Sequence, residues 1–169
     1  MSVAKDLTLS LESVTFRAML GDDLRQVVQI ERAATAFPWS LKNFQDCLKA
    51  GHQAWVFCNS DKEIIGFTIV QKVVDETHLL NICVRQQEQG QGLGRLILNA
   101  VIAYAKQISS VLIVLEVRRS NGRAQSLYSD AGFNEMSVRK DYYPAQQGRE
   151  DAVLMGMDLA LLSFFDQNE

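Results

Sequence analysis

Asn81-Ile82-Cys83-Val84-Arg85-Gln86-Gln87-Glu88-Gln89-Gly90-Gln91-Gly92-Leu93-Gly94-Arg95-Leu96-Ile97-Leu98 is the stretch whose reading decides the fold. An apolar strand pattern ends at Val84, and a polar, glycine-rich loop follows. A helical pattern begins at Leu93, with Leu93, Ile97, Val101, Tyr104 and Ile108 on one face. Strand, glycine-rich loop and helix together present free backbone N–H groups and a positive helix end to a phosphate. Three glycines in five residues let the backbone approach an anion without Cβ clashes.

The spacing narrows the choice of anion. A P-loop needs Gly-Lys-Ser/Thr, and here Gly94 is followed by Arg95 and Leu96. The dinucleotide fingerprint needs G-x-G-x-x-G and an acid about 20 residues on, where Ile113, Val114 and Leu115 stand instead. The stretch does fit Gln/Arg-x-x-Gly-x-Gly, read as Gln89-Gly90-Gln91-Gly92-Leu93-Gly94. That resembles the acetyl-coenzyme A pyrophosphate loop of the GCN5-related N-acetyltransferases, the GNAT family. A second register, Gln87 to Gly92, fits the letters as well. The first is preferred because Val84 to Gln89 matches the family's distance from the strand's last apolar residue to the Gln/Arg.

The 169 residues suit a single domain spanning the chain, with a core over about residues 14–159. Apolar content is 47% and charged content 22%, as in ordinary soluble globular proteins. A net charge of −3 with no basic run argues against a direct nucleic-acid surface. Cys47, Cys58 and Cys83 lie in apolar surroundings with no C-x-x-C, which reads as buried thiols in a reducing cytoplasm, with neither metal nor disulfide. No signal-peptide pattern and no apolar run of membrane-spanning length is present, so no membrane partner is expected.

In chain order, residues 1–12 read as a loose lead-in and residues 14–19 as a first strand. Asp22 or Asp23 can cap a helix carrying Leu24, Val27, Val28 and Glu31. Phe37-Pro38-Trp39 breaks it, and Ser40 caps a second helix ending before Gly51. Residues 53–58 and 63–73 form a hairpin about the turn 59–62, and residues 77–84 form the strand that enters the opening motif. After the long helix, residues 111–117 make a near-continuous β-branched run typical of a central strand. Asn121 caps a short helix ending at Gly132. Residues 133–140 and 151–159 form a last antiparallel pair, joined by a loop around Tyr142-Tyr143-Pro144. The tail 160–169 carries Leu161, Leu162, Phe164 and Phe165 and can form a short packed helix. The order β-α-α-β-β-β-α-β-α-β-β is a mixed α/β arrangement, and it is the element order of the GNAT fold.

Three residues invite a chemical reading. Strand alternation puts Glu116 on one face with Leu112 and Val114, near the strand's end. It is either a solvated strand-end carboxylate or a partly desolvated one suited to general-base work. Tyr128 shares a helix face with Ala124, Leu127 and Ala131, as a core aromatic or as a phenol reaching a cavity. Asn121 is most simply an N-cap.

The stretch Glu116-Val117-Arg118-Arg119-Ser120-Asn121, then Ala124, Leu127-Tyr128 and Gly132-Phe133, is similar to RimI-type ribosomal-protein N-terminal alanine acetyltransferases. So are Tyr142-Tyr143-Pro144 and Gly148-Arg149-Glu150-Asp151-Ala152, and the likeness covers roughly residues 14–159. It implies that Ile82, Cys83 and Val84 pair through their backbone with a pantetheine arm. Gln89 and the residues Gly90, Gln91, Gly92, Leu93, Gly94 and Arg95 would cradle the pyrophosphate, and Asn121 would contact coenzyme A. Glu116 would be the general base and Tyr128 the general acid. The sequence departs from the group in two places: no proline follows Val84, and Gly122-Arg123 stands where small helix formers are common.

The chemistry implied is acetyl transfer from acetyl-CoA to an amine, without a metal. Only the unprotonated amine attacks, and an α-amine (pKa about 7.7–8.0) is richer in that form at neutral pH than a lysine (about 10.4) by about two orders of magnitude. The resemblance therefore implies a cytoplasmic enzyme acting on a protein N-terminus, the alanine of a small-subunit ribosomal protein such as S18. Trp39, Tyr142 and Tyr143 are expected on loops flanking the acceptor groove. The alternatives are a GNAT acting on another amine (metabolite, antibiotic or lysine) and a non-catalytic acyl-CoA-binding module.

Overall fold

The computed structural model describes residues 11–161. Residues 1–10 of the lead-in and residues 162–169 of the tail, with Leu162, Phe164 and Phe165, lie outside the described residues. The elements are β1 (Thr15–Ala18), α1 (Leu24–Ala34), α2 (Leu41–Lys49), β2 (Gln53–Cys58), β3 (Ile64–Val73), β4 (Glu76–Val84), α3 (Leu93–Gln107), β5 (Leu112–Arg118), α4 (Gly122–Ala131), β6 (Asn134–Pro144) and β7 (Arg149–Asp158). They follow the order expected from the sequence. The strands form a seven-stranded sheet in the order β1-β2-β3-β4-β5-β7-β6. Every neighbouring pair is antiparallel except β4 with β5, which is parallel.

The sheet is covered on both faces, and strand alternation sorts the side chains between them. Val56, Phe67 and Ile69 pack with Val27 of α1 and Phe44 of α2. Phe57 and Ile65 pack with Leu93 and Ile97 of α3, and Ile113, Leu115 and Val117 of β5 pack with Leu98 and Val101 of α3 and with Tyr128 of α4. Glu116, between Leu115 and Val117, therefore projects toward the α1 side.

The decisive feature lies between β4 and β5. Their pairing runs only from Glu76↔Leu112 to Leu79↔Leu115. On its other edge, β4 has a register shift against β3: Ile69 faces Asn81 and Val70 faces Leu79, so Leu80 is the extra residue. A bulge bends the strand that carries it. Residues 80–84 follow β3 away from β5, while β5 stays on β7 through Arg118↔Ala152. A wedge opens from there. The Arg85 amide bonds to Ile65 O at 2.8 Å on β3. Alternation then turns the Ile82 and Val84 amides to the side that β5 has vacated.

Four expectations change in detail. Tyr142, Tyr143 and Pro144 are not in a loop but close β6, where Tyr143↔Glu150 and Pro144↔Arg149 are paired beyond a bulge. The bulge is held by the Asp151 carboxylate on the Asp141 amide at 3.0 Å, and Arg149 donates to the carbonyls of Asp141 and Tyr142. Asp23 precedes α1 but does not cap it by its side chain. Its carboxylate instead accepts the Leu20 amide at 2.7 Å and both terminal guanidinium nitrogens of Arg17. Val111 lies outside β5, which continues to Arg118, so Glu116 is the first residue beyond the last β4 partner rather than the strand's end. Ile108 caps α3 rather than belonging to it, and Leu98 and Ala105 join the buried face. The expected Ser40 cap does form, accepting the Asn43 amide at 3.2 Å.

Gly66 lets α3 sit against β3. A Cβ there would lie 2.8 Å from Ile97 Cδ1 and 3.0 Å from the Cys83 carbonyl oxygen. Gly66→Ala is therefore expected to destabilise by about 1–3 kcal/mol, as overpacking does. Each kcal/mol corresponds to a fall in Tm of about 2–4 °C at this size. Scanning calorimetry checks it, and an unchanged Tm would mean that β3 and α3 separate freely.

Candidate active site

The wedge between β4 and β5 is part of a cleft of about 680 Å³. One wall is β4 from Leu79 to Val84, and the other is β5 from Leu115 to Arg118. Glu31, Phe37 and Trp39 close it on the α1 side, and Asn121, Leu127 and Tyr128 close it on the α4 side. Gln89, Gly90, Gly92, Gly94 and Arg95 form its end.

The glycine loop is shaped as a cradle. Gly90 and Gly92 have φ of 78° and 88°, in the left-handed region, and Gly92 is the N-cap of α3. Gly94 sits inside the first turn, where a Cβ would meet Leu127 Cδ2 at 3.4 Å. The Gln89 side chain donates to Val84 O at 3.1 Å and accepts from Arg123 at 3.3 Å. That bond ties the start of the loop to the end of β4. The free amides of a helix N-terminus suit an anion, and these residues fit a pyrophosphate by their backbone. Leu93 is buried beside Phe57 and Ile65 and does not line the cleft. Gln91 does not line the cleft, and its side chain donates to Gln87 O at 3.2 Å.

Glu116 lines the cleft and is ion-paired with Arg139 at 3.2 Å. The Tyr142 phenol hydrogen-bonds to it, and this bond is the main reason that the Tyr142 pKa is raised. Tyr143 lines the cleft beside it, its pKa pushed up to about 12 by burial and then by the Glu116 charge. Tyr128 is 6% exposed, and burial raises its phenol well above the ordinary value. Among the described residues no buried side-chain oxygen lacks a hydrogen-bond partner, and no described group bonds to the Tyr128 hydroxyl. That oxygen therefore meets the cleft itself. Asn121 lines the cleft while its carbonyl caps α4, accepting the Ala124 amide at 3.1 Å.

The model of the acetyltransferase (GNAT) family matches residues 20–133. The chain belongs to the GNAT acetyltransferase family. It is 39% identical over 158 residues to the [ribosomal protein bS18]-alanine N-acetyltransferase of Salmonella typhimurium, covering 91% of this chain and 99% of that protein. The Escherichia coli K12 protein of the same name is 38% identical over 151 residues, covering 87% and 99%. The crystal structure of the ribosomal-protein-S18-alanine N-acetyltransferase from Escherichia coli superposes with a TM-score of 0.80 at 38% identity, over 86% of this chain and 94% of that one. The mixed sheet with its flanking helices is the GNAT fold, and GNAT acetyltransferases use acetyl-CoA as co-substrate.

Several residues of this N-acetyltransferase that face or frame the cleft escaped the sequence reading. Arg118 stacks between Phe37 and Tyr143, its guanidinium carbon 4.3 and 4.5 Å from the ring centroids. It donates to Pro144 O at 2.7 Å and to Glu150 at 2.8 Å, and Glu150 also accepts the Ser120 amide. Arg149, Glu150 and Asp151, which carried part of the resemblance, thus hold the Tyr142–Tyr143 wall in place. Glu31 is 4% exposed and lines the cleft. Its signal was an acid on the apolar stripe of α1. Arg118 entered only as part of the resemblance and Arg123 only as a departure from it, and Arg139 gave no signal, because the partners of all three are distant in the chain. Trp39 is half-buried on the Phe44 ring at 5.5 Å, in the connection between α1 and α2 where it was expected.

Cys47, Cys58 and Cys83 are free thiols, and burial raises the pKa of each. Among the described residues no group of three or more His, Cys, Asp or Glu is placed to hold a metal ion. No helix of the described residues is long and apolar enough to cross a membrane.

Proposed function

We propose that this chain is a single cytoplasmic acetyltransferase domain that transfers the acetyl group of acetyl-CoA to the N-terminal alanine of ribosomal protein bS18. One observation carries the catalytic part. The parting of β4 from β5 puts the glycine cradle, Glu116 and the Tyr128 hydroxyl around one cleft. The acceptor's identity rests on the bS18-alanine acetyltransferases at 38–39% identity over nearly their whole length.

In this reading the backbone of residues 90–95 binds the pyrophosphate, and the freed amides of Ile82 and Val84 pair with the pantetheine arm. Cys83 contributes backbone there, since its buried thiol is held protonated. Bound acetyl-CoA supplies the activated thioester. The acceptor nitrogen forms a bond to the carbonyl carbon, a freed β4 amide holds the oxygen, and the carbon–sulfur bond breaks. Glu116, through a water, takes the proton that the amine loses. Tyr128 gives its proton to the departing sulfur. Trp39, Tyr142 and Tyr143 flank the acceptor.

Two measurements test this. A peptide beginning with Ala is expected to be acetylated at its α-amine. The same peptide with a blocked N-terminus and a free internal Lys should be nearly inert, with both products read by mass spectrometry. Comparable turnover of the two would replace the N-terminal reading by a lysine or small-amine enzyme. Separately, saturating acetyl-CoA should raise Tm through linkage, by an amount set by its concentration over Kd. In Gly92→Val that shift should largely vanish, because a β-branched residue resists a φ of 88° and its side chain would crowd Leu11. A full shift in Gly92→Val means that the phosphates bind elsewhere.

A further inference from the structure

A second polar pair lies across the cleft from Glu116, and the mechanism above leaves it unused. Glu31, on the apolar stripe of α1, is almost fully buried, and among the described residues no cation pairs with it. A buried carboxylate persists only where hydrogen bonds replace its water. Its Oε1 accepts the Trp39 amide at 3.0 Å and the Asn81 side-chain NH2 at 3.4 Å. Burial holds the Glu31 carboxyl above its ordinary pKa, and these bonds work against that shift.

The pair with Asn81 fixes a direction. Oε1 is an acceptor, since the Trp39 amide donates to it, so the Asn81 amide turns its NH2 toward Glu31. The carbonyl Oδ1 is then the acceptor left over, and no described donor reaches it. Asn81 faces Ile69, whose side chain is on the α1 side of the sheet. Glu116 projects to that same side from β5. Asn81 follows the bulged Leu80 on one edge of the wedge, and Glu116 is the first unpaired residue on the other. Both line the cleft. The Asn81 backbone carbonyl is tied to β3, accepting the Thr68 hydroxyl at 2.9 Å.

A neutral primary amine has one lone pair and two N–H bonds. In attack the lone pair points at the carbonyl carbon, and in a desolvated cleft both N–H groups need acceptors. Glu116 serves one. We propose that Asn81, oriented by Glu31, is the acceptor for the other, so that the two walls of the wedge together aim the lone pair. Asn81 touches the substrate amine; Glu31 is a positioning residue that acts through Asn81. This rests on the acetyl-transfer reading of the same cleft and adds how it recognises a primary amine.

The test compares two peptides that differ only in the first residue, alanine or N-methylalanine. The second has one N–H where the first has two. Asn81→Leu should lower kcat/KM for the alanine peptide tenfold or more and leave acetyl-CoA binding within about twofold. It should shrink the preference for alanine over N-methylalanine by a similar factor. The added methyl is equally bulky in parent and variant, so the change in preference reports the lost acceptor. Asn81→Ala repeats the measurement without added bulk. Glu31→Gln keeps a carbonyl oxygen at the place of Oε1, which accepts both the Trp39 amide and the Asn81 NH2, so the parent preference should hold. Glu31→Met removes that acceptor and frees the Asn81 amide to turn, and the same loss of preference as in the Asn81 variants is expected. Parent-like rates in the Asn81 variants, or equal losses on both peptides, overturn the proposal. If the parent ignores the alanine peptide but acetylates another primary amine, the acceptor reading falls, and the comparison is made on that amine and its N-methyl form.

Discussion

Glu116→Gln is expected to lower kcat at neutral pH by about 10²–10⁴, the usual range for a positioned acid–base group. Glutamine keeps the shape and still accepts the Tyr142 hydrogen bond, but it cannot take up a proton. The pair with Arg139 is lost, yet the Arg139 side chain is 54% exposed. Exposed pairs contribute little to stability, so Tm should barely move. Acetyl-CoA affinity should also hold, because Glu116 is not part of the glycine cradle. The pH profile carries the mechanism. An α-amine loses its own proton near pH 7.7–8.0, so the variant's rate should keep climbing through that range. Turnover within about threefold of the parent at neutral pH would reduce Glu116 to a solvated strand carboxylate.

Tyr128→Phe should cost kcat a factor of the same order, for the opposite reason. The ring remains packed, 5.9 Å from the Phe133 centroid, and only the proton donor goes. Burial disfavours the phenolate and raises the Tyr128 pKa above its usual value. The donor form thus persists throughout the neutral range, and its loss on ionisation lies on the alkaline side of about pH 10. The acidic limb of the parent profile should survive in Tyr128→Phe, since Glu116 is intact. Losses in the double variant should be less than multiplicative, because both groups act in one transition state. A parent-like kcat in Tyr128→Phe would leave this residue as a core aromatic and place the proton donor elsewhere.

What could be read in the chain was local in origin. The border between Val84 and Leu93 is written in a run of glycines between two periodicities, and α3 begins at Leu93 as the pattern requires. The caps at Ser40 and Asn121 act over three residues and formed as expected. Strand alternation placed Glu116 on the face opposite Ile113, Leu115 and Val117. The Tyr142–Tyr143 segment was read as a loop, and it is the end of β6. In the protein, Arg149 and Asp151 carry the strand across its bulge by bonds that leave no periodic trace.

The sequence by itself determined the element order, the family and the residues offered for chemistry, because periodicity, capping and glycine spacing act over a few neighbours. Only the tertiary structure decided where those residues meet. The bulge at Leu80 depends on the register of β4 against β3, and the wedge depends on residues 80–84 staying with β3 while β5 stays with β7. Glu31 reaches Asn81 across fifty residues, and Arg118 reaches Pro144 across twenty-six. Such contacts exist only once the sheet has chosen its neighbours. A carboxylate on an apolar stripe is an anomaly in the chain, and it becomes part of a cleft wall when α1 packs against β4.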